Sequence, residues 1–193
     1  MLHQETVLAE ASTLFDPPIV VRTRRAYFDC KFGQLHVRTA FPTTGGFDEQ
    51  VTLVCLHPSD ASSRTFGLFL TALADVRSVY APDLPGYGES DSSPTRSIAE
   101  AAIAVSDLAD DLRLRQIDVL GVQYGARIAL ELAAARPELV RRLVLAAVPT
   151  GEHLSGGAHQ RLLIDLPPCG DRPFDSAAET LADQINTFLR SQP

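Results

Sequence analysis

No run of apolar residues in this chain approaches the roughly 18 that suggest a membrane-spanning helix, so no membrane partner is expected. Cysteine is scarce. Cys30, Cys55 and Cys169 are an odd set at wide spacing, which fits neither a disulfide framework nor a zinc site and points to a reducing compartment. An excess of basic charge is missing as well. The net charge is −7, so no basic patch advertises nucleic acid. The start, Met1-Leu-His-Gln-Glu-Thr, lacks the basic and apolar regions of a signal peptide. No internal repeat or low-complexity tract is present. These absences lead to the expectation of a cytoplasmic protein without a cofactor or a metal.

What is present is ordinary for a globular chain. Its 193 residues, 45% of them apolar, are enough for one domain with a sizeable core. Residues 1–18 carry few periodic apolar positions and end at Pro17-Pro18, which reads as an N-terminal arm. Residues 19–193 read as a single domain.

From Ile19 to Phe41 the pattern is strand-like. A Gly-bearing turn at Lys31-Phe32-Gly33-Gln34 suggests a β-hairpin with Leu35-His36-Val37-Arg38 as its return strand. Pro42 to Gln50 reads as a loop. Val51 to Leu56 is a mostly apolar run of strand length, as in a parallel sheet covered on both faces. A helix follows with Phe66, Phe69, Leu70 and Leu73 on one face, then a short strand at Ser78 to Ala81. Ser97-Ile98-Ala99-Glu100 is a capping box. It opens a helix with Ile98, Ala102, Val105, Ala109 and Leu112 at spacings of four and three. Ile117, Val119 and Leu120 form a further strand. Ile128, Leu132 and Ala135 form the inner face of a helix that stops near Pro137. Leu143 to Val148 is another strand. Alternating strands and helices predict a doubly wound, mostly parallel α/β sheet.

Three motifs lie on these elements in order: His57-Pro58 after a strand, Asp83-Leu-Pro-Gly-Tyr-Gly-Glu-Ser90, and Gly121-Val-Gln-Tyr-Gly125 at a strand-to-helix junction. Together they resemble the first half of an α/β-hydrolase of the esterase and epoxide-hydrolase-like group. The family usually has His-Gly where this chain has His57-Pro58. Its Gly-x-Ser-x-Gly elbow carries the nucleophile, and Gln123 occupies that position here.

The resemblance implies a nucleophile, a histidine to take its proton and an acid to orient that histidine. A carboxamide at Gln123 cannot attack an acyl carbon. Leu162 to Leu166 resembles the last strand, and Ser176-Ala-Ala-Glu179 caps a final helix with Leu181, Ile185, Phe188 and Leu189. Between them, where the family often has Gly-His, stands Gly170-Asp171, and an unperturbed Asp accepts protons only weakly at neutral pH. Only 45 residues follow Val148, so the lid and one strand with the usual acid are absent by this reading. The missing cover implies exposed apolar surface near Val144 and Leu163, and with it self-association.

The fold's oxyanion hole uses two backbone amides, and Ser59 and Tyr124 hold those positions. Gln123 either orients a water or fills the old site as a polar plug. His57 either lines the pocket or is a hydrogen-bonded structural residue. Glu152 and His153 read either as a displaced acid and its neighbour or as a solvated loop. Cys55 reads as inert core, and Asp83 as a loop brace. Tyr87, Phe66 and Tyr124 each read either as part of an apolar pocket wall or as plain packing. Two functional readings follow. One is a degenerate hydrolase that binds a small carbonyl-type ligand or a partner without turnover. The alternative is a hydrolase or lyase acting on an ester, lactone or epoxide by a non-serine mechanism.

Overall fold

A computed structural model of the chain describes residues 21, 23–43, 50–148, 159–165 and 178–191. The strands are β1 (Arg24–Cys30), β2 (Gly33–Ala40), β3 (Leu53–Leu56), β4 (Val79–Pro82), β5 (Ile117–Val122), β6 (Val140–Ala146) and β7 (Gln160–Ile164). The helices are α1 (Phe69–Leu73), α2 (Ile98–Asp111), α3 (Tyr124–Ala135) and α4 (Ala178–Arg190), with a 3-10 turn at Ser63–Phe66.

The strands form one sheet in the order β1-β2-β4-β3-β5-β6-β7. The hairpin β1–β2 and the β2–β4 pair are antiparallel; β3 through β7 are parallel. The expected doubly wound sheet is therefore present. Strand side chains alternate between its faces. Leu53, Cys55, Leu120, Val122 and Val144 meet Phe69, Leu73, Ile185 and Leu189 from α1 and α4. On the opposite face, Val54, Leu56, Val119, Leu143 and Leu145 meet Val105, Ile128 and Leu132 from α2 and α3.

Several expectations change in detail. The helix anticipated through Phe66 and Leu73 is broken at Gly67, whose φ of 31° ends the 3-10 turn before α1 begins. All four of its apolar residues are nevertheless fully buried. Ser97 caps α2 by accepting the Glu100 amide at 3.2 Å, and the Glu100 carboxylate accepts the Thr95 amide at 3.0 Å as well as reaching back to the Ser97 backbone. Val144 is fully buried instead of exposed, because α4 covers that face of β6; Leu163 is 59% exposed, as expected.

A buried ion cluster holds the opposite end of the strands from the glycine motif. Asp118 of β5 accepts Arg141 Nε at 2.8 Å and Nη2 at 2.6 Å, and Arg77 Nη1 at 3.2 Å. Arg77 and Asp118 are fully buried. Burial pushes the Arg77 guanidinium down to about 10, which leaves it charged at neutral pH. Its Nη1 also donates to the Val51 carbonyl at 3.2 Å, which ties β4's approach to β3. Removing one partner of a buried pair strands the other charge without water. Asp118→Ala is therefore expected to destabilise the fold by about 3–5 kcal/mol in urea denaturation. A loss under 1 kcal/mol would mean that the two arginines find other partners.

Candidate functional site

Gln123 sits between β5 and α3, on a sharp strand-to-helix turn with φ 49° and ψ −106°. Its amide donates to Ala146 O at 3.0 Å, which fixes the turn to β6, and its carbonyl accepts the Ala126 amide at 3.0 Å, which starts the helix. The turn closes only because of the flanking glycines. A Cβ on Gly121 would come within 2.6 Å of the Gly125 carbonyl and the Ala126 backbone, and one on Gly125 would run into the Leu56 carbonyl. The first turn of α3 is thus pressed against the exit of β3, the segment that leads through His57 to Ser59. The Gln123 side chain itself is exposed and makes no capping hydrogen bond to the helix.

The Tyr124 amide opens the helix, where no intrahelical carbonyl precedes it. Its hydroxyl donates to Arg96 O at 3.1 Å, joining α3 to the loop after β4. Ser59 lies exposed on the loop after β3. Tyr87 stands between Tyr124, at a ring distance of 6.4 Å, and His57, at 5.4 Å. These three rings form one wall. Phe66 does not join them: it is buried on the sheet's other face with α1 and α4.

His57 is fully buried, and both ring nitrogens are engaged. Nδ1 donates to the Pro58 carbonyl at 2.7 Å, and Nε2 accepts the Leu84 amide at 2.9 Å. Those partners fix one neutral tautomer, because Nε2 must keep its lone pair for Leu84. Burial lowers the His57 pKa below its ordinary value, against smaller raising effects from the Pro58 carbonyl and Asp83. Both nitrogens are thus engaged in hydrogen bonds, as in the structural reading of His57.

Asp83 organises the adjoining loop. Its carboxylate accepts the Ser63 amide at 2.6 Å, the Glu89 amide at 2.9 Å and His36 Nδ1 at 2.9 Å. Burial alone would raise its pKa; the hydrogen bonds from Glu89, Ser63 and His36 outweigh that and hold it low. The Ser90 hydroxyl donates to Asp83 O at 2.7 Å and accepts the His36 amide at 2.9 Å. His36 was the partner missing from the sequence reading; its only signal there was its place in the hairpin's return strand. Cys55 is fully buried in β3, and burial drives its thiol far up, so it is inert core. Asp171, Glu152, His153 and Cys169 lie outside the described residues. Among the described residues no cluster of three or more metal-ligating side chains gathers, and no helix is long and apolar enough to cross a membrane.

The sequence pattern of the alpha/beta hydrolase family matches residues 53–192. The chain belongs to that family. A putative 2-succinyl-6-hydroxy-2,4-cyclohexadiene-1-carboxylate synthase of Bacillus subtilis is 31% identical over 116 residues, covering 58% of this chain and 42% of that protein. The 2-hydroxymuconate semialdehyde hydrolase of Pseudomonas sp. strain CF600 is 41% identical over 101 residues, covering 48% and 35%. Among solved structures, the epoxide hydrolase CorEH superposes with a TM-score of 0.59 at 25% identity, covering 68% of this chain and 46% of that one. The N-acyl homoserine lactonase AidH complexed with N-butanoyl homoserine gives 0.57 at 27% identity, covering 65% and 45%. The chain spans less than half the length of the curated relatives it matches.

Two outcomes follow from this geometry. The Gln123 backbone lies outside the regions that side-chain-bearing residues favour, at a cost of about 1–3 kcal/mol. Gln123→Gly relieves that strain but adds freedom to the unfolded chain, so a net gain of about 1 kcal/mol is expected in chemical denaturation. A destabilised variant would show that the Gln side chain contributes contacts of its own. Secondly, His57 is expected to titrate below about 6.5 in nitrogen-detected NMR, with the proton on Nδ1. Its folded pKa lies under the unfolded one. Its contribution to stability is therefore complete above about pH 6.5 and is lost as the pH falls through the folded value. Titration of His57 above that value would contradict the assigned hydrogen bonds.

Proposed function

We propose that this alpha/beta-hydrolase-family protein binds a small carbonyl compound at the elbow and does not turn it over by serine-type chemistry. The observation that carries the reading is Gln123, exposed at the tip of the elbow where acyl transfer needs an attacking hydroxyl or thiol. A carboxamide nitrogen gives its lone pair to its own carbonyl and does not attack. The engaged ring of His57 supports the same reading, since it leaves that imidazole no part as a general base. What the site retains is suited to holding a carbonyl. The Tyr124 and Ser59 amides are its oxyanion-hole candidates, and the Tyr87 and Tyr124 rings supply apolar wall. Relatives named for semialdehyde, lactone and epoxide chemistry support a small oxygen-bearing ligand over a polymer.

A second reading keeps turnover. In it the exposed Gln123 carboxamide orients a water, as a Gln does in some nucleotide hydrolases, with His57 beside it. It requires a base that the neutral, engaged His57 does not provide.

The separating experiment is a panel of p-nitrophenyl acetate, a small lactone and a small epoxide. The expected result is turnover at background, with the same compounds shifting the backbone NMR signals of Ser59 and Tyr124. Gln123→Ser restores an oxygen at the elbow without a base. General-base help is worth roughly 100- to 10,000-fold, so its activity is expected to be faint. Adding Asp171→His is expected to exceed the single variant while staying far below an ordinary esterase. Robust turnover by the unmodified chain would overturn the binding reading in favour of the non-serine enzyme. Silence in both assays would remove both.

A further inference from the structure

The outer hairpin of the sheet carries two arginines face to face. Arg25 of β1 lies in register with Arg38 of β2, and Tyr27 with His36. Side chains alternate along a strand. Leu35 and Val37 pack with Ala104 and Leu108 of α2, so His36 and Arg38 lie on the opposite face of the sheet, with Arg25 and Tyr27 beside them. Arg64 of the 3-10 turn reaches the same place. Arg25 Nη1 and Arg64 Nη2 lie 4.0 Å and 3.4 Å from one oxygen of Glu89, whose other oxygen accepts the Tyr27 hydroxyl at 3.1 Å. Like charges directly opposite each other weaken a sheet. Glu89 offsets them poorly, because its distances exceed the roughly 2.7–2.9 Å of a charge-assisted hydrogen bond. Asp29, on the same face of β1, accepts Gln34 Nε2 at 3.2 Å, toward the turn of the hairpin. Arg38 Nε is buried and has no hydrogen-bond partner among the described residues. Burial pushes the Arg38 guanidinium below its ordinary value, and Arg25 and Arg64 push it the same way, against Asp83 and Glu89.

A second buried atom on this face is left in the same condition. His36 is fully buried; its Nδ1 donates to Asp83 at 2.9 Å, and its Nε2 meets no partner among the described residues. The two nitrogens of an imidazole diverge, so Nε2 is turned away from Asp83. An unpaired buried polar atom costs about 1–3 kcal/mol, and folded proteins leave few of them. Here two lie on one face of one strand, beside Arg25 and Arg64. We propose that this face of the hairpin is a phosphate site, in which Arg25, Arg38 and Arg64 hold the oxygens of inorganic phosphate or of a phosphate monoester. The three guanidiniums come from β1, β2 and the 3-10 turn, and so from different directions. A planar carboxylate offers two oxygens along one edge. A phosphate group offers three, spread around the phosphorus, and guanidinium forks match them. An anion between Arg25 and Arg38 replaces their repulsion with two attractions and gives Arg38 Nε an acceptor. β2 and β5 are three places apart in the sheet, about 14 Å at the usual strand spacing, so the site is independent of the elbow and of what the elbow binds.

Isothermal titration calorimetry at constant ionic strength tests the site, with inorganic phosphate, glycerol phosphate and acetate as probes. The Arg38 Nε signal in nitrogen-detected NMR reports the position. Phosphate and its monoester are expected to bind and to shift that signal, and acetate to bind about tenfold more weakly or less. Tighter binding of the monoester assigns the site to phosphorylated small molecules, and tighter binding of inorganic phosphate to the free ion. Arg38→Lys keeps the charge and loses the fork; it is expected to weaken phosphate about tenfold, the worth of one charge-assisted hydrogen bond. Arg64→Ala is expected to weaken it about threefold. Glu89→Gln removes the anion that competes for Arg25 and Arg64, so binding is expected to tighten about threefold. Far-UV circular dichroism and a thermal melt verify that each variant remains folded. If Arg38→Lys does not fold, the opposite shifts of Arg64→Ala and Glu89→Gln still decide. Four results would overturn the proposal. The first is no binding of either phosphate compound at millimolar concentration. The second is acetate bound as tightly as phosphate, which removes the tetrahedral anion. The third is Arg38→Lys binding as well as the native chain, which reduces the site to accumulated charge. The fourth is binding that no variant alters, which places the anion elsewhere.

Discussion

The Asp83 carboxylate sets the loops at the C-terminal end of the sheet. A buried charge without partners would cost several kcal/mol, so its three hydrogen bonds are an obligation on the chain around it. They bind β2 through His36, the 3-10 turn through Ser63, and the Pro-Gly-Tyr-Gly loop through Glu89. Gly88 is part of the same constraint: at φ 55° it lies so close to the carboxylate that any Cβ would overlap it. The next residue after Asp83 carries the order further. The Leu84 amide occupies His57 Nε2, and the His57 ring backs Tyr87, which in turn meets Tyr124 on α3. One carboxylate thus positions, through short steps, the Tyr87 and Tyr124 rings beside the elbow.

This chain of contacts explains which parts were legible in the sequence. The strands from Val51 to Val148 are buried on both faces, and uninterrupted apolar runs mark such strands whatever they touch. The glycines of the elbow were legible because only their size allows the close approach at Leu56. Asp83 was legible as a loop brace because Asp commonly bonds backbone amides near turns. Its actual partners were not: His36 and Ser63 lie 47 and 20 residues away in the chain, and spacing carries no information about such contacts. The same limit left Phe66 open between pocket wall and plain packing, and its burial fits the packing. It is close in sequence to the loops that border Tyr87, but Gly67 breaks the local helix and the side chain faces the opposite side of the sheet. Val144 was misjudged because the cover it was expected to lose is supplied by α4, and a helix 34 residues downstream cannot be placed by periodicity.

The elbow also separates fold from chemistry. Its geometry is dictated by Gly121, Gly125 and the hydrogen bonds of the Gln123 backbone to Ala146 and Ala126. None of these depends on the Gln123 side chain, which points away from the contacts that make the turn. A carboxamide can therefore stand at the strained position without changing the fold. For the same reason, the preserved fold is no argument for a preserved reaction. What the carboxamide brings to the tip is one group with both a hydrogen-bond donor and an acceptor.

The opposite end of the sheet is held by a second, unrelated constraint, and it accounts for how so short a chain closes its core. The C-terminal carbonyls of a helix have no intrahelical donors and need others. On α4 they are met from β6: Arg141 donates to Leu189 O and Arg142 to Phe188 O, each at 2.8 Å, and Arg142 also donates to Ser191 O. The Arg142 guanidinium lies 5.5 Å from the centre of the Phe188 ring. Two adjacent arginines thus cap the helix, place positive charge at the negative end of its dipole, and anchor it over Val144. Arg141 spends its remaining donors on Asp118, so the anchor of α4 and the buried ion cluster share a residue. The last helix is thereby fixed to β6, and its Ala182, Ile185 and Leu189 share one core with Ile164 of β7. Among the described residues β7 is paired along one side only, by β6.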